Sequence, residues 1–220
     1  NDVIEFLIQS NLISQVVQRK KYKRIKVYTN DKIIFESFKF NTADIEEEIK
    51  VEYSYNCKDK IDKLNGDNSD KECLYVVVLN PFDYIDFIRI VDKLSSLNLY
   101  TVIGFAYNSK FYMTNLYKKE WYNPCPKCFF SQLEASLRSK ARSTNQPTFQ
   151  TIVDLIYNKE ISFQTCVPTN RQNVMPLIFE VIGYRKSDVN ATSNRVTKID
   201  LQGEVNYDQS IHWELCDCFE

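Results

Sequence analysis

Between Leu74 and Leu79 the chain runs through valine-rich apolar residues without a polar break, and that run sharply limits the folds open to it. A strand with one wet face alternates apolar and polar side chains, so an unbroken β-branched run belongs to a strand covered on both faces. Sheets of that kind are parallel, with helices laid over them by the crossovers. Asn80-Pro81 follows as a helix start, with proline near the first turn. Phe82, Ile85, Ile88, Val91 and Leu94 then repeat at helical spacing, Asn98 can close the helix, and Leu99 to Phe105 resumes as strand. This is a β-α-β unit, and right-handed repetition of it builds a parallel sheet with helices on its faces. The fold class is therefore α/β, with a core over residues 25–120 whose regular part runs from Ile25 to Thr114.

The flanks are read around that core. Asp2 to Leu12 carries Val3, Phe6, Leu7 and Ile8 on one helical stripe, and Ile25 to Tyr28 and Ile33 to Phe40 read as β-rich segments, so residues 1–40 can be the end of a winged-helix module. Asn56 to Glu72 is polar, contains Asn65-Gly66-Asp67 and reads as an exposed loop. Residues 121–220 form a second region. Phe130, Leu133 and Leu137 mark a helix over Phe129 to Lys140, and Pro147, Phe149, Ile152, Val153 and Ile156 mark another. A third is capped by Asn173, has Pro176 in its first turn, buries Leu177, Ile178, Val181 and Ile182, and ends at Gly183. Arg195 to Leu201 and Tyr207 to Trp213 alternate as strands around Gly203, a closing hairpin.

At 220 residues and 44% hydrophobic content the chain can bury a core without covalent staples. It shows no apolar run of transmembrane length and no signal-peptide order at its start, so a soluble cytoplasmic protein is expected. The chain opens at Asn1 without a methionine, so a segment can precede it. A net charge of −1 argues against bulk polyanion binding. The basic run Arg19 to Arg24 is read as a solvated strand edge or wing in preference to a nucleic-acid contact, and Glu46-Glu47-Glu48 identifies no partner.

Seven cysteines are an odd set for a disulfide framework, and only four fall into tight pairs. Cys125-Pro126-Lys127-Cys128 is a compact knuckle that can aim two sulfurs at one point, and Cys216-Asp217-Cys218 can supply two more. Four thiolates suit the closed tetrahedral shell of a structural zinc ion, and a full shell leaves no position for activating water. Dithiol redox chemistry is the weaker reading, because it needs no second pair. The competing possibility is that Cys125 and Cys128 are chance neighbours and the last pair a loose tail.

No catalytic set accompanies them. His212 is the lone histidine, read as a structural imidazole beside the cysteines that can support the site from outside its ligands. Four glycines, Gly66, Gly104, Gly183 and Gly203, form no glycine-rich turn, and Asn80-Pro81-Phe82 after Leu79 replaces the backbone donors a pyrophosphate needs. ATP binding is not expected.

The ending Ile211-His212-Trp213-Glu214-Leu215-Cys216-Asp217-Cys218, with Pro124-Cys125-x-x-Cys128 upstream, resembles the McbB subunit of microcin-type thiazole/oxazole synthetases, distant relatives of the ThiF/MoeB adenylating enzymes. The resemblance implies a ThiF/MoeB-like core with Cys125, Cys128, Cys216 and Cys218 as zinc ligands. It implies a non-catalytic scaffold that grips a ribosomally made precursor peptide within a larger complex, itself homo-oligomeric. A YcaO-type cyclodehydratase would use ATP, and a flavin (FMN) dehydrogenase would oxidise the azolines. The alternative is a zinc-stabilised nucleic-acid- or protein-binding module using Arg19 to Arg24.

Overall fold

The computed structural model describes residues 22–140, 155, 164–185 and 194–219. Its main sheet has seven strands in the order β2-β1-β3-β5-β6-β8-β9. β1 (Arg24–Thr29), β2 (Ile49–Tyr53), β3 (Cys73–Leu79) and β5 (Tyr100–Tyr107) run parallel, and β6 (Lys110–Met113), β8 (Arg195–Ile199) and β9 (Val205–Gln209) extend the sheet antiparallel. β3 is buried at every residue. Leu74, Val76 and Val78 face one core, and Tyr75, Val77 and Leu79 the other, the two-sided burial expected of an unalternating strand.

Helices cover both faces. α1 (Lys32–Asn41) and α6 (Arg171–Gly183) bury Ile34, Phe38, Val174, Leu177, Ile178 and Val181 on one side. α2 (Cys57–Asp62), α4 (Tyr84–Ser96) and α5 (Pro126–Lys140) bury Cys57, Ile61, Phe87, Ile90, Leu94, Phe130 and Leu133 on the other. Among the described residues no helix is long and apolar enough to cross a membrane.

Several expectations are corrected. Ile33 to Phe40 is α1, not strand: the Asp31 carboxylate accepts from Ile34 N at 3.0 Å to cap it, and Ile34, Ser37 and Phe38 form its buried stripe. Asn56 to Glu72 is not an open loop but carries α2 and the short α3 (Asn68–Lys71). Cys57 and Ile61 anchor α2, and the Asp70 carboxylate anchors α3 to Lys26 at 2.9 Å and to the Tyr75 hydroxyl. Asn80 does not start α4. Its amide donates to Val167 O at 2.9 Å and to Asp31 Oδ2 at 2.6 Å, so Asp83 caps instead, while Phe82-Asp83 (β4) pairs with Gln164-Thr165 (β7). Asn170, with Asn173 reciprocating, caps α6, and Pro176 lies inside it. The terminal hairpin is β8–β9, ending at Gln209, and it joins the core sheet through β6. Asn98, at φ 52°, does close α4 as expected. Arg24 opens β1, an internal strand rather than an edge, and Lys23 pairs with Glu72 at 2.9 Å. The helices expected over Asp2 to Leu12 and, but for Leu155, around Phe149 to Ile156 lie outside the described residues.

Candidate metal centre

The first half of the centre is built by the start of α5. Cys125 precedes the helix, its carbonyl accepting from Phe129 N at 3.4 Å, and Pro126 fills the first helical position, where its missing N–H costs nothing. That geometry puts Cys125 and Cys128 one turn apart on the same side, both buried. The knuckle is held from below: Asn115 Nδ2 donates to Pro124 O at 2.8 Å and Asn123 Nδ2 to Leu116 O at 2.7 Å.

The second half arrives with the tail beyond β9. Ser210 N donates to Asn194 O at 2.8 Å, the Gln132 side chain of α5 pairs with both backbone groups of Ile211, and Cys216 N donates to Trp213 O at 3.0 Å. His212 Nε2 lies 3.0 Å from Tyr122 O. Burial holds the imidazole below its ordinary pKa, so the neutral ring donates Nε2–H to that carbonyl. Thus His212 ties the tail to the loop ahead of the knuckle, the structural role expected of it.

All four sequence-derived cysteines come together. Cys125 Sγ lies 3.8 Å from Cys128 Sγ and 3.5 Å from Cys216 Sγ, Cys128 Sγ lies 3.5 Å from Cys218 Sγ, and all four sulfurs fall within 4.8 Å of one another. These separations are far longer than the ~2.05 Å of a disulfide. They fit a tetrahedron around an ion with metal–sulfur bonds of ~2.3 Å, whose edges are ~3.8 Å. Tyr117 and Trp213 wall the cluster.

The electrostatics favour deprotonated sulfur, the form that ligates a metal. Hydrogen bonding among the thiols holds Cys128 well below the ordinary thiol range and pushes Cys125 up, because sulfurs this close cannot all ionise unaided. The amino-terminal end of α5 favours negative charge at Cys125 and Cys128. The Lys127 ammonium, partly desolvated by burial but held above its ordinary pKa by its 2.7 Å bond to Asp92 and by the nearby cysteines, adds positive charge. The donor set can therefore hold a metal ion. Cys57, Cys73 and Cys166 stand outside the cluster. Burial pushes the Cys57 thiol up to about 12, which leaves it protonated and unreactive. Gln132 was not legible as part of the site, since nothing in its neighbourhood distinguishes it from any exposed helical glutamine.

Among solved structures the chain is similar to the E. coli microcin synthetase McbBCD complex, at 14% identity and TM-score 0.65 over 99% of this chain and 76% of that one. The same complex with pro-MccB17 bound gives 15% identity and TM-score 0.59 over 99% and 77%. The heterocyclase TruD gives 11% and 0.53 over 99% and 33%. At these identities the likeness is one of fold. No curated protein sequence gives a significant match. A family model described as microcin B17-processing protein McbB matches residues 1–220, and the chain therefore belongs to the McbB family.

Proposed function

We propose that this chain is the zinc-bearing scaffold subunit of a cytoplasmic heterocycle synthetase, which grips a ribosomally made precursor peptide and presents it to partner enzymes. The observation that carries the reading is the four-cysteine cluster in a chain matched along its whole length by the McbB family model. A zinc ion there would be held by Cys125, Cys128, Cys216 and Cys218 and would supply a cross-link between α5 and the tail, with no open position for substrate. Ring formation then belongs to the partners: a YcaO-type cyclodehydratase that spends ATP and an FMN-dependent dehydrogenase that oxidises the azolines. The similar E. coli complex with pro-MccB17 bound supports a peptide-binding assembly. Within it, this chain would work as a homo-oligomer.

The turn after β1 supports the non-nucleotide part of the reading. In sheets of this kind a pyrophosphate sits at the start of the helix after the first strand, on backbone N–H groups exposed by glycines. Here that turn is Asn30-Asp31. The Asp31 carboxylate already occupies the start of α1, and its other oxygen accepts from Asn80 at 2.6 Å and Thr169 at 3.0 Å. A phosphate would meet a fixed negative charge.

The test is affinity capture of this chain from the producing cell, followed by reconstitution. Recovery of a YcaO homologue, a flavoprotein and a short Cys/Ser-rich precursor is expected, with ring formation lost when this chain is omitted. Capture of none of these, or ATP–pyrophosphate exchange by the purified chain alone, would refute the proposal.

A further inference from the structure

The parallel part of the sheet reverses its winding between β1 and β3. From β1 the chain passes to β2 on one side through α1, then to β3 on the other side through α2 and α3, which lie over the opposite face. At such a point the loops leaving two neighbouring strands part, and open α/β sheets bind ligands in the crevice so formed. This chain has a cavity there of about 160 Å³, walled by the loops after β1, β2 and β3 and by the start of α4.

Size and chemistry narrow the occupant. The cavity falls below the roughly 300–1,000 Å³ of pockets that enclose drug-sized ligands, so it admits the end of one side chain and not a nucleotide. Asn30 closes the floor, its Nδ2 donating to Pro81 O at 2.8 Å and its Oδ1 accepting from Asn80 N at 2.7 Å, so those two loops are bridged. The charged lining is Asp83, Asp86 and Lys58, two negative charges against one positive. Lys58 is paired with Asp86 at 2.8 Å. Tyr55 stands at the lip with 86% of its surface exposed, a large bare ring beside carboxylates, which suits a cation over its face. Asn56 adds a buried amide oxygen with no hydrogen-bond donor among the described residues. Acceptors, a net negative charge and an aromatic lip together match a flat, donor-rich cation, and a guanidinium has that form with five N–H groups.

We propose that the crevice between the β1 and β3 loops holds the guanidinium of an arginine side chain presented by a bound polypeptide. The site is independent of the metal centre and of which partners the scaffold serves. An arginine seated there would dock its chain onto the carboxyl edge of the parallel sheet, using a crevice whose phosphate-binding elements are absent.

The test titrates N-acetylarginine methylamide into the whole chain, followed by the chemical shifts of the Tyr55 ring and the Asn56 side-chain amide. Saturable shifts are expected, with binding weakened at least fivefold by Tyr55→Ala and by Asp86→Asn. Tyr55 is exposed, so its variant keeps the fold, which its unchanged amide spectrum elsewhere would verify. The citrulline analogue, of the same shape but uncharged, should not saturate. Three outcomes overturn the proposal: no saturable shift with the arginine probe, equal binding of the citrulline probe, or unchanged affinity in both variants. Saturable shifts of the same signals by AMP or inorganic phosphate would also overturn it.

Discussion

Removing one cysteine from the centre should cost this protein a large share of its stability, and the size of the loss follows from the chain it closes. Cys125 and Cys216 are 91 residues apart in sequence. Treated as a cross-link, closure of a loop that long removes about 4–5 kcal/mol of conformational freedom from the unfolded chain. Native domains are stable by only about 5–15 kcal/mol, so the cross-link supplies a substantial part of the whole. At about 2–4 °C per kcal/mol for a domain of this size, Cys125→Ser or Cys216→Ser should lower Tm by about 8–20 °C. Calorimetry beside metal analysis measures it: the native chain should carry stoichiometric zinc, lose it to a strong chelator, and then melt like the variants. Cys166→Ser removes an exposed cysteine outside the cluster and serves as the control. The reasoning fails if both variants melt within roughly 3 °C of the native chain, or if zinc content is the same in all of them.

Other perturbations test the frame around the centre. Asp31→Ala removes the cap of α1 and strands donors on Asn80 and Thr169, and should cost about 2–3 kcal/mol, read as a lower urea midpoint at unchanged slope. Asp70→Ala leaves the Lys26 ammonium and the buried Tyr75 hydroxyl without their shared carboxylate; an equilibrium unfolding loss of about 2 kcal/mol is expected, because Lys26 keeps some contact with solvent. Two glycines should respond with opposite signs in thermal melts. A Cβ at Gly104 would sit 3.3 Å from Val78 Cγ2, so Gly104→Ala should destabilise by about 1–2 kcal/mol. Among the described residues nothing lies within 4 Å of a Cβ at Gly183, so Gly183→Ala at the end of α6 should be neutral or stabilising by up to about 1 kcal/mol.

The β3-α4-β5 unit was legible because burial on both faces leaves a composition typical of a covered parallel strand, although the expected stripe of α4 was off register: Phe82 lies in β4 and Ile85 is 36% exposed, while Phe87, Ile90, Val91 and Leu94 form the buried face. The unit before it was not legible. Ile33 to Phe40 is rich in β-branched and aromatic residues, and their strand preference hid a helix fixed by one side-chain cap and by tertiary burial of Ile34 and Phe38. With α1 in place, the turn that opens the first crossover is Asn30-Asp31 and not the one after Leu79. α2 and α3 escaped notice because few apolar anchors hold them, the Asp70 carboxylate being bound inward by Lys26 and Tyr75. β6 turns on Asn108-Ser109, both at positive φ (46° and 56°), and the absence of glycine there removed the usual hairpin signal.

The four-cysteine cluster was readable for the opposite reason. After β9 the tail has little apolar burial of its own: Ile211 is 66% exposed and Leu215 85%. Apart from Trp213, packed with Tyr117 against the cluster, hydrophobic packing contributes little to bringing Cys216 and Cys218 back to α5. The other fixed contacts are polar or sulfur-based, namely Ser210 to Asn194, Gln132 to Ile211, His212 to Tyr122 and the four sulfurs. Net hydrogen bonds of this kind contribute about 0.5–1.5 kcal/mol each, comparable to the about 1–2 kcal/mol per residue that ordering a backbone costs. Four such bonds and the packing of Trp213 leave the tail only marginally held, so a metal shared by the four cysteines would supply much of the tether. Their spacing is consequently the part of the design that cannot be replaced by composition, which is why it shows in the sequence while the residues that steady it do not.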